Sequence, residues 1–279
     1  VPEPTIAQRI VRAKKQLVTS KVPFEVPRGP ELGERLDSVL EVIYLIFNEG
    51  YSATSGPNWM RPALFDDALR LGRILAELMP NEPEVHGLVG LMEIQASRAK
   101  TRVDSEGRPI LLLDQNRALW DQLLIRRGLA ALDRAAAIGE APGPYLLQAQ
   151  IAACHARATT SEATDWSRIA SLYSQLNDLA PSPVIELNRA VAVAMAEGPA
   201  AGLKLVDRLK TDPALKSYHL LPAVRGDLLA KLGRHREAAR EFGRAARLTE
   251  NARERDLLLE RAAASSNSDA NDANRANRT

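Results

Sequence analysis

The sequence predicts an all-α fold in which a helical bundle passes into a tetratricopeptide-like α-solenoid. Aromatic residues make up only 4% of the 279 residues while Ala, Leu and Arg abound, and this composition favours helices over a β-sandwich. Apolar residues recur three and four positions apart along most of the chain, as on one face of a helix. Two helix–turn–helix patterns near the end have Gly198 and Gly233 at their turns, a spacing close to the roughly 34-residue period of tetratricopeptide repeats.

Charge and cysteine content narrow the class of protein. The net charge of +2 comes from 37 basic and 35 acidic residues, so the body of the chain gives no electrostatic case for binding nucleic acid. The single cysteine, Cys154, excludes a disulfide within the chain and suits a reducing compartment. The apolar runs are too short to span a bilayer, and the N-terminus has no signal-peptide pattern. We therefore expect a cytoplasmic protein without membrane contact.

The first stretch, "VPEPTIAQRIVRAKKQL" (1–17), predicts one amphipathic helix with a basic face. The proposed packing stripe is formed by Ile6, Ile10, Ala13 and Leu17. The opposite face has Thr5, Gln8, Arg12 and Lys15, with Arg9 at its edge. The periodicity allows two interpretations, an ordinary surface helix with solvated cations or a helix that reads DNA. The three prolines in 18–31 interrupt any helix, and we interpret this segment as a linker.

Residues 32–162 form the first part of the predicted helical domain. The pattern over 34–50 is apolar almost all round in its second half, which predicts a central, buried helix that ends at Gly50 as a C-terminal cap. A turn signal followed by "ILLL" predicts a short excursion or hairpin at 103–116. The other predicted helices cover 62–79, 83–101, 116–138 and 143–159.

Residues 163–264 form the tetratricopeptide-like part, in which a helix at 164–179 precedes two helix pairs. In the second pair, Gly226, Ala238 and Phe242 occupy repeat positions that call for small or aromatic side chains. The first pair departs from that pattern, because Leu203 replaces a small residue and Asp207 replaces an aromatic one. A last helix is predicted at 251–264. The segment 265–279 has no apolar residue larger than Ala, which predicts a disordered tail.

No catalytic or metal-binding pattern stands out in the sequence. The four histidines do not pair with another ligand at metal-binding spacing, and neither a phosphate-binding loop nor a nucleophile-elbow motif occurs. Cys154 adjoins His155, but neighbouring helix residues point about 100° apart, which disfavours a nucleophile–base pair. We expect neither an enzyme nor a bound cofactor or metal.

One polar cluster lies in "YLIFNEGY", with Tyr44, Asn48, Glu49 and Tyr51. Tyr44 and Asn48 are four residues apart on the most apolar predicted helix. These side chains can satisfy buried backbone groups at a helix end. Alternatively, they can line a polar pocket for a ligand or partner.

A second polar cluster lies in "DQNRALWDQ", with Asp114, Arg117, Trp120 and Asp121. Its simplest interpretation is a helix N-cap with side-chain pairs three and four residues apart. The alternative is a contact in a binding groove, which makes these four residues candidates for the same pocket or partner site as the first cluster.

Many segments, in the right order, resemble one family. The stretch 1–17, with its R-x-x-R-A-K ending, resembles the recognition helix of region 4 in extracytoplasmic-function RNA polymerase sigma factors. "PFEVP" and "ERLDSVLEVIYLIFNEGYSAT" resemble the start of the C-terminal extension found in one group of these factors. "LLLDQNRALWD", "YLLQAQIAACHARA" and "SPVIELNRAVAVAMAEGPAAGL" resemble later parts of the same tetratricopeptide-like extension. The resemblance covers nearly the whole chain except the tail.

This resemblance implies a bacterial transcription initiation factor whose extension regulates its activity. Its implied partners are the RNA polymerase core, sigma regions 2 and 4 of the same factor, promoter DNA through an intact region 4, and a small regulatory protein. By position, DNA contacts in the intact factor map onto Thr5, Gln8, Arg9 and Arg12, with Lys15 on phosphate.

The sequence departs from the family because region 2 and the earlier helices of region 4 do not occur in it. We therefore expect a C-terminal fragment in which residues 1–17 are a remnant of region 4, without specific DNA binding of its own. The leading hypothesis is a regulatory, protein-interaction domain of a sigma factor. The alternative is a small-molecule-sensing helical domain that controls the factor, and an enzyme of helical fold is a third, weaker hypothesis.

Overall fold

A computed structural model describes residues 3–20 and 30–276 of the chain. Within these ranges, the side chains of residues 3, 4, 6, 7, 10, 30, 32, 34 and 270–276 are outside the description. Two compact units are present, Val1–Val39 and Leu40–Thr279. The predicted linker falls mostly on residues 21–29, which lie outside the described residues.

The described residues fold almost entirely into α-helices, as the sequence predicts. The helices are α1 (Glu3–Thr19), α2 (Pro30–Tyr51), α3 (Pro62–Leu78), α4 (Pro83–Ala96), α5 (Gln122–Ile138), α6 (Pro144–Arg157), α7 (Trp166–Leu179), α8 (Pro183–Glu197), α9 (Pro199–Leu209), α10 (Leu220–Lys231), α11 (His235–Leu248) and α12 (Ala252–Ala276). Short 3-10 turns cover Ala99–Thr101, Leu112–Asp114, Arg117–Leu119 and Pro213–Leu215. Two very short strands, β1 (Ser55–Gly56) and β2 (Glu250–Asn251), pair in parallel.

Helix α1 exposes every side chain that the structure describes in it. Ala13 and Leu17, two members of the predicted packing stripe, are exposed, and Leu17 retains 49% of its accessible surface. Val11 and Val18 on other sides of the helix are also exposed. The predicted burial of one face is therefore wrong at Ala13 and Leu17.

The central helix is α4 rather than α2. Twelve of the fourteen residues of α4 are buried, so it is apolar on all sides and covered on all sides. In α2, by contrast, Val42 and Leu45 remain 56% and 57% exposed. The prediction that 34–50 is a central helix is therefore wrong, because its all-round apolar pattern includes a face that the described residues leave uncovered.

Gly50 does not cap α2, which continues to Tyr51. A Cβ atom on Gly50 would lie 2.4 Å from the backbone nitrogen of Phe65. The glycine instead lets α2 approach the first turn of α3 closely. The predicted C-terminal cap at Gly50 is wrong for this reason.

The predicted excursion at 103–116 is present as a tight hairpin-like turn. Val103 and Pro109 form an antiparallel bridge, and the amide of Ile110 donates to the carbonyl of Arg102 at 2.8 Å. The Asp104 carboxylate accepts hydrogen bonds from the amides of Glu106 and Arg108, both at 2.9 Å, and so closes the turn. In the second polar cluster, which follows this turn, Arg117 and Trp120 are buried while Asp114 and Asp121 are exposed.

The helix pairs α8–α9 and α10–α11 pack closely through small residues. A Cβ atom on Gly226 would lie 2.9 Å from the ring of Phe242, which matches the small-against-aromatic contact that the repeat pattern predicts. In the first pair, a Cβ atom on Gly202 would lie 2.4 Å from that of Ala194. Gly202 therefore serves as the small residue one position before Leu203, and the sequence analysis missed this shift.

The two ends of the Leu40–Thr279 unit are joined by hydrogen bonds. Strand β1 pairs with β2, and the buried amide of Asn251 donates to the carbonyls of Ala53 and Asn58 at 3.1 and 3.0 Å. The helical array thus returns upon itself, and its inner surface is lined by both its early and its late helices. The unit has no division near residue 163.

Helix α12 extends through most of the segment that was predicted to be a disordered tail. Beyond residue 264, the hydroxyls of Ser266 and Ser268 donate to the helix carbonyls of Ala262 and Ala264 at 3.0 and 3.1 Å. Residues 277–279 lie outside the described residues. None of the described helices has the length and apolar character to cross a membrane.

Candidate ligand-binding site

Three arginines on the inner side of the array have no acidic partner. Arg98 follows the end of α4, Arg102 ends the 3-10 turn after it, and Arg117 begins the 3-10 turn before α5. Arg102 and Arg117 are each only 8% exposed. Within the described ranges, no carboxylate lies within 4.0 Å of any of the three guanidinium groups. A buried charge without a counter-ion is costly, so this arrangement requires an explanation.

Arg102 is held by aromatic rings rather than by a carboxylate. Its guanidinium lies 3.5 Å from the ring centroid of Tyr51 and 5.7 Å from that of Trp59, and it donates to the Tyr51 carbonyl. Burial lowers the pKa of Arg102 to about 10, which leaves the group charged at neutral pH.

Arg117 clamps the C-terminal end of α6. It donates to the carbonyls of His155 and Ala158 at 2.9 and 3.0 Å and to the Thr164 hydroxyl at 3.0 Å, while its guanidinium lies 5.1 Å from the Trp120 ring centroid. Burial is the main cause that lowers the pKa of Arg117, followed by the nearby charge of Arg98. Arg117 therefore combines a structural role with a positive charge next to Trp120.

Arg98 connects the two polar clusters that the sequence singles out. It donates to the hydroxyl of Tyr51 at 2.8 Å and to the amide oxygen of Gln95, and lies 5.8 Å from the Tyr51 ring centroid and 5.7 Å from that of Trp120. Its Nε is buried without a hydrogen-bond partner. Tyr51 from α2 and Trp120 from the segment before α5 thus meet at one guanidinium group.

A cavity of ≈ 380 Å³ opens beside Arg98 and Trp120, between α2, α4, α6, α7 and α8. This volume falls in the range of small-molecule sites. The cavity is lined by Tyr44, Leu91, Ile94, Gln95, Arg98, Leu112, Trp120, Gln148, Ile151, Ala152, His155, Tyr173, Leu176, Val184, Ile185 and Asn188. Arg98 is the only charged side chain in this lining, which includes neither Asp nor Glu.

Unpartnered nitrogen atoms concentrate around this cavity. In the described part of the chain, eight buried side-chain polar atoms have no hydrogen-bond partner, and five of them belong to this region. These five are Nε of Arg98 and Arg117, Nε1 of Trp120 and Trp166, and Nδ1 of His155. Buried polar groups are normally satisfied, so this local excess of unpartnered nitrogen atoms distinguishes the region around the cavity from the rest of the described chain.

The remaining titratable groups at the cavity are neutral. Burial, reinforced by Arg98 and Arg117, lowers the pKa of His155 to about 3, and the imidazole packs edge-on against Trp166 with centroids 5.1 Å apart. Burial raises the pKa of Tyr173 to about 12, so its hydroxyl keeps its proton. Burial also raises the pKa of Tyr44, whose hydroxyl donates to Gln148 at 2.9 Å.

A second, wider cavity of ≈ 680 Å³ adjoins the first and shares Arg98 and Leu112 with it. Tyr51, Trp59 and Arg102 line one side of this cavity, and α8, α10 and α12 line the other. Its lining includes three carboxylates, those of Asp114, Asp227 and Glu254. The wider cavity is therefore mixed in charge, in contrast to the cavity beside Trp120.

Of the eight predicted pocket residues, some line one of the two cavities and the others stabilise the backbone around them. Tyr44 and Trp120 line the narrower cavity, and Tyr51 and Asp114 line the wider one. Asn48 is half-buried and lies close enough to Tyr44 to oppose the rise in the pKa of that phenol.

Glu49 and Asp121 stabilise local structure instead. Glu49 accepts hydrogen bonds from the Thr54 amide and hydroxyl at 3.2 and 2.9 Å and forms an ion pair with Arg61 at 3.2 Å. Asp121 is the N-cap of α5, as the simpler interpretation predicts, and its Oδ1 accepts from the amides of Leu123 and Leu124. Arg117 is the clamp described above.

The five predicted DNA-contacting residues all lie on α1 with exposed side chains: Thr5, Gln8, Arg9, Arg12 and Lys15. Residues three or four apart on a helix share a face, so the sequence pattern puts Gln8, Arg12 and Lys15 on one side of α1.

Sequence reasoning missed Arg98, Arg102 and Tyr173, and it treated His155 only as a poor nucleophile partner. Arg98 follows the most buried helix directly, and an arginine at the end of such an apolar run was the one signal available. Nothing in the sequence pattern brings Tyr173 to the same cavity.

Metal and thiol chemistry find no support in the described residues. No group of three or more His, Cys, Asp or Glu side chains is close enough there to hold a metal ion. Burial raises the pKa of the half-buried Cys154 thiol, which disfavours a reactive thiolate.

Part of the cavity lining lies in a segment that is similar to a family of unknown function. Residues 35–136 match the sequence profile of a family described as "Family of unknown function (DUF6596)". The chain is also 47% identical over 254 residues to an uncharacterized protein of Rhizobium meliloti (strain 1021). That alignment covers 91% of this chain but 59% of the relative, so the chain spans less than two thirds of the relative's length.

Proposed function

We propose that this chain is the regulatory C-terminal extension of an extracytoplasmic-function sigma factor and acts by binding rather than by catalysis. The observation that carries the binding role is the cavity of ≈ 380 Å³ lined by Arg98 and Trp120, in which Arg98 is the only charged side chain among the lining residues. The link to transcription comes from the sequence resemblance of 1–17 to a recognition helix and of the following segments to the extension.

Two further observations support this proposal. The polar residues of α1 that would contact DNA in an intact region 4 are all exposed. The relative extends well beyond the aligned segment, which leaves room for further domains in that protein. Regulation would require that occupation of the inner surface changes how the extension contacts regions 2 and 4 or the polymerase.

The test uses the full-length Rhizobium meliloti relative. We expect it to bind core RNA polymerase and to start transcription at specific promoters in a purified system. Removal of the segment that corresponds to 32–264 should change that output several-fold. A protein that does not bind core polymerase would exclude the sigma assignment, and an unchanged output after the deletion would exclude the regulatory role.

A small-molecule-sensing domain is the second candidate, and the cavity specifically favours it. A protein-interaction domain of this kind needs an accessible surface, whereas a sensor needs a space that takes up a ligand. The cavity beside Tyr44 and Trp120 has the size and mixed polar and apolar walls of such a space. In this version of the proposal the ligand sets the activity of the sigma factor.

A further inference from the structure

We propose that the cavity beside Arg98 and Trp120 binds a small organic monocarboxylate, with the carboxylate on Arg98 and an apolar body against the aliphatic wall. This inference deepens the proposed function because it gives the chemical class of the ligand. It also stands without the link to transcription, since ligand binding can be measured on the chain alone.

The charge balance of the wall requires an anion. Arg98 has no carboxylate partner in the described part of the chain, and neither Asp nor Glu lines the cavity. Arg102 and Arg117 stand nearby and add to the positive potential, and of these two only Arg117 has an acidic residue, Glu162, in longer-range electrostatic interaction with it. A bound anion would supply the missing counter-charge, and a guanidinium fork matches a carboxylate geometrically.

The hydrogen-bond balance points the same way. Trp120 is 3% exposed, lines the cavity, and its Nε1 has no partner. An indole nitrogen only donates, so its natural partner is an acceptor such as a carboxylate oxygen. The Nε of Arg98 is a second donor in the same state. Arg98 and Trp120 both line the cavity, so a carboxylate bound to the Arg98 guanidinium would also lie beside the Trp120 indole.

The volume and lining residues of the cavity indicate the charge, polarity and size of the ligand. Arg98 is the only charged side chain in the lining, which suits a single negative charge better than a doubly charged phosphate. Ile94, Ile151 and Leu176 form part of an aliphatic wall, so the ligand should also have an apolar body. A free phosphate would leave this wall without a contact. A volume of ≈ 380 Å³ limits the ligand to a small molecule.

The test measures binding of defined probes to the 279-residue chain. The probes are a panel of monocarboxylic acids from acetate to phenylacetate and longer aliphatic acids, each with its neutral primary amide, together with inorganic phosphate. Calorimetry and melting temperature report binding. We expect at least one acid to bind and to raise the melting temperature, and its amide and phosphate to bind far more weakly.

Two variants connect the binding to this cavity. Arg98→Gln should lower the affinity for the acid by about ten-fold or more, which is the typical effect of losing a charged hydrogen bond. Trp120→Phe keeps an aromatic ring and removes the indole N–H donor, so it should lower the affinity for the acid several-fold. Arg127→Gln, at an exposed position on α5, is the matched control and should leave the affinity unchanged.

Several results would overturn the proposal. They are the absence of binding by any acid in the panel, equal binding of an acid and its amide, tighter binding of phosphate, or full affinity in a folded Arg98→Gln variant. Circular dichroism checks that each variant is folded. If Arg98→Gln does not fold, the affinity of the Trp120→Phe variant decides whether the acid binds in this cavity. None of these outcomes depends on binding to RNA polymerase, so this proposal and the transcriptional one fail separately.

Discussion

Arginines in two regions of this molecule differ in their partners: those in one region pair with carboxylates, and those in the other do not. In the helices α10 to α12, Arg225 pairs with Asp207 at 2.8 Å and with Glu241 at 2.9 Å, and Arg261 pairs with Asp227. Around the cavity, Arg98, Arg102 and Arg117 have carbonyls, hydroxyls and aromatic rings as partners and no carboxylate in the described part of the chain.

This difference distinguishes arginines that are neutralised by carboxylates within the fold from arginines that have no carboxylate at ion-pair distance in the described part of the chain. An arginine that exists to stabilise a helix pair is best neutralised within the fold, as Arg225 is. An arginine kept without a counter-ion raises the free energy of the empty protein, and a ligand can recover that cost. The C-terminal helices are therefore the scaffold, and under the proposed function the cavity is the part of the molecule where a ligand would offset an unneutralised charge.

The largest expected effect concerns the scaffold. Phe242 is 1% exposed and fills the space left by Gly226, so Phe242→Ala should lower the free energy of unfolding by about 3–5 kcal/mol. Urea denaturation measures this change. Leu259→Ala, at a position that is 50% exposed on α12, is the control and should change it by less than about 0.5 kcal/mol. A small effect at Phe242 would mean that the α10–α11 contact does not hold the scaffold together.

A paired substitution tests the comparison itself. Arg225→Met removes the ion-pair partner of Glu241, leaves Asp207 with only Lys210 at 3.7 Å, and should cost about 2 kcal/mol. Arg98→Met removes a cation that has no acidic partner and should leave stability unchanged or raise it by about 1 kcal/mol. Urea denaturation of both variants under the same conditions gives the two values. If Arg98→Met costs as much as Arg225→Met, Arg98 is a structural residue and the contrast between the regions disappears.

The scaffold could be predicted from sequence because its determinants are local. Gly226, Gly233 and Phe242 stand at fixed spacings within one helix pair, and that spacing alone identifies the contact. The shift of the small residue to Gly202 was missed, because it breaks the spacing while preserving the packing. Pattern reasoning therefore works where contacts are repeated and fails at the first irregular one.

Only some of the residues that line the two cavities could be predicted from the sequence. Tyr44, Tyr51 and Trp120 were singled out, but the residue that joins them, Arg98, lies 47 positions from Tyr51 and has no motif around it. The absence of carboxylates from the wall is a property of the assembled helices and cannot be read along the chain. The misassignment of α2 as the central helix has the same origin, since an all-round apolar pattern does not say which neighbours cover it.

The smallest expected effect uses the buried histidine of the cavity. The pKa of His155 is lowered to about 3 in the folded state, chiefly by burial, while an unfolded histidine titrates near 6.5. Between these values the unfolded chain binds a proton that the folded chain does not, so the free energy of unfolding falls as the pH falls. The slope due to His155 should be about 1 kcal/mol per pH unit at most, given its partial exposure.

His155→Asn should therefore flatten the loss of stability between pH 6.5 and about pH 3, as measured by urea denaturation across that range. Trp166→Phe is the matched control, because it disturbs the same edge-on contact and keeps the imidazole, so its acid slope should stay as in the wild type. If His155→Asn retains the full slope, the imidazole is not held neutral by its surroundings. The positive potential that we assign to Arg98 and Arg117 at this cavity would then be weaker than the unpaired guanidinium groups imply.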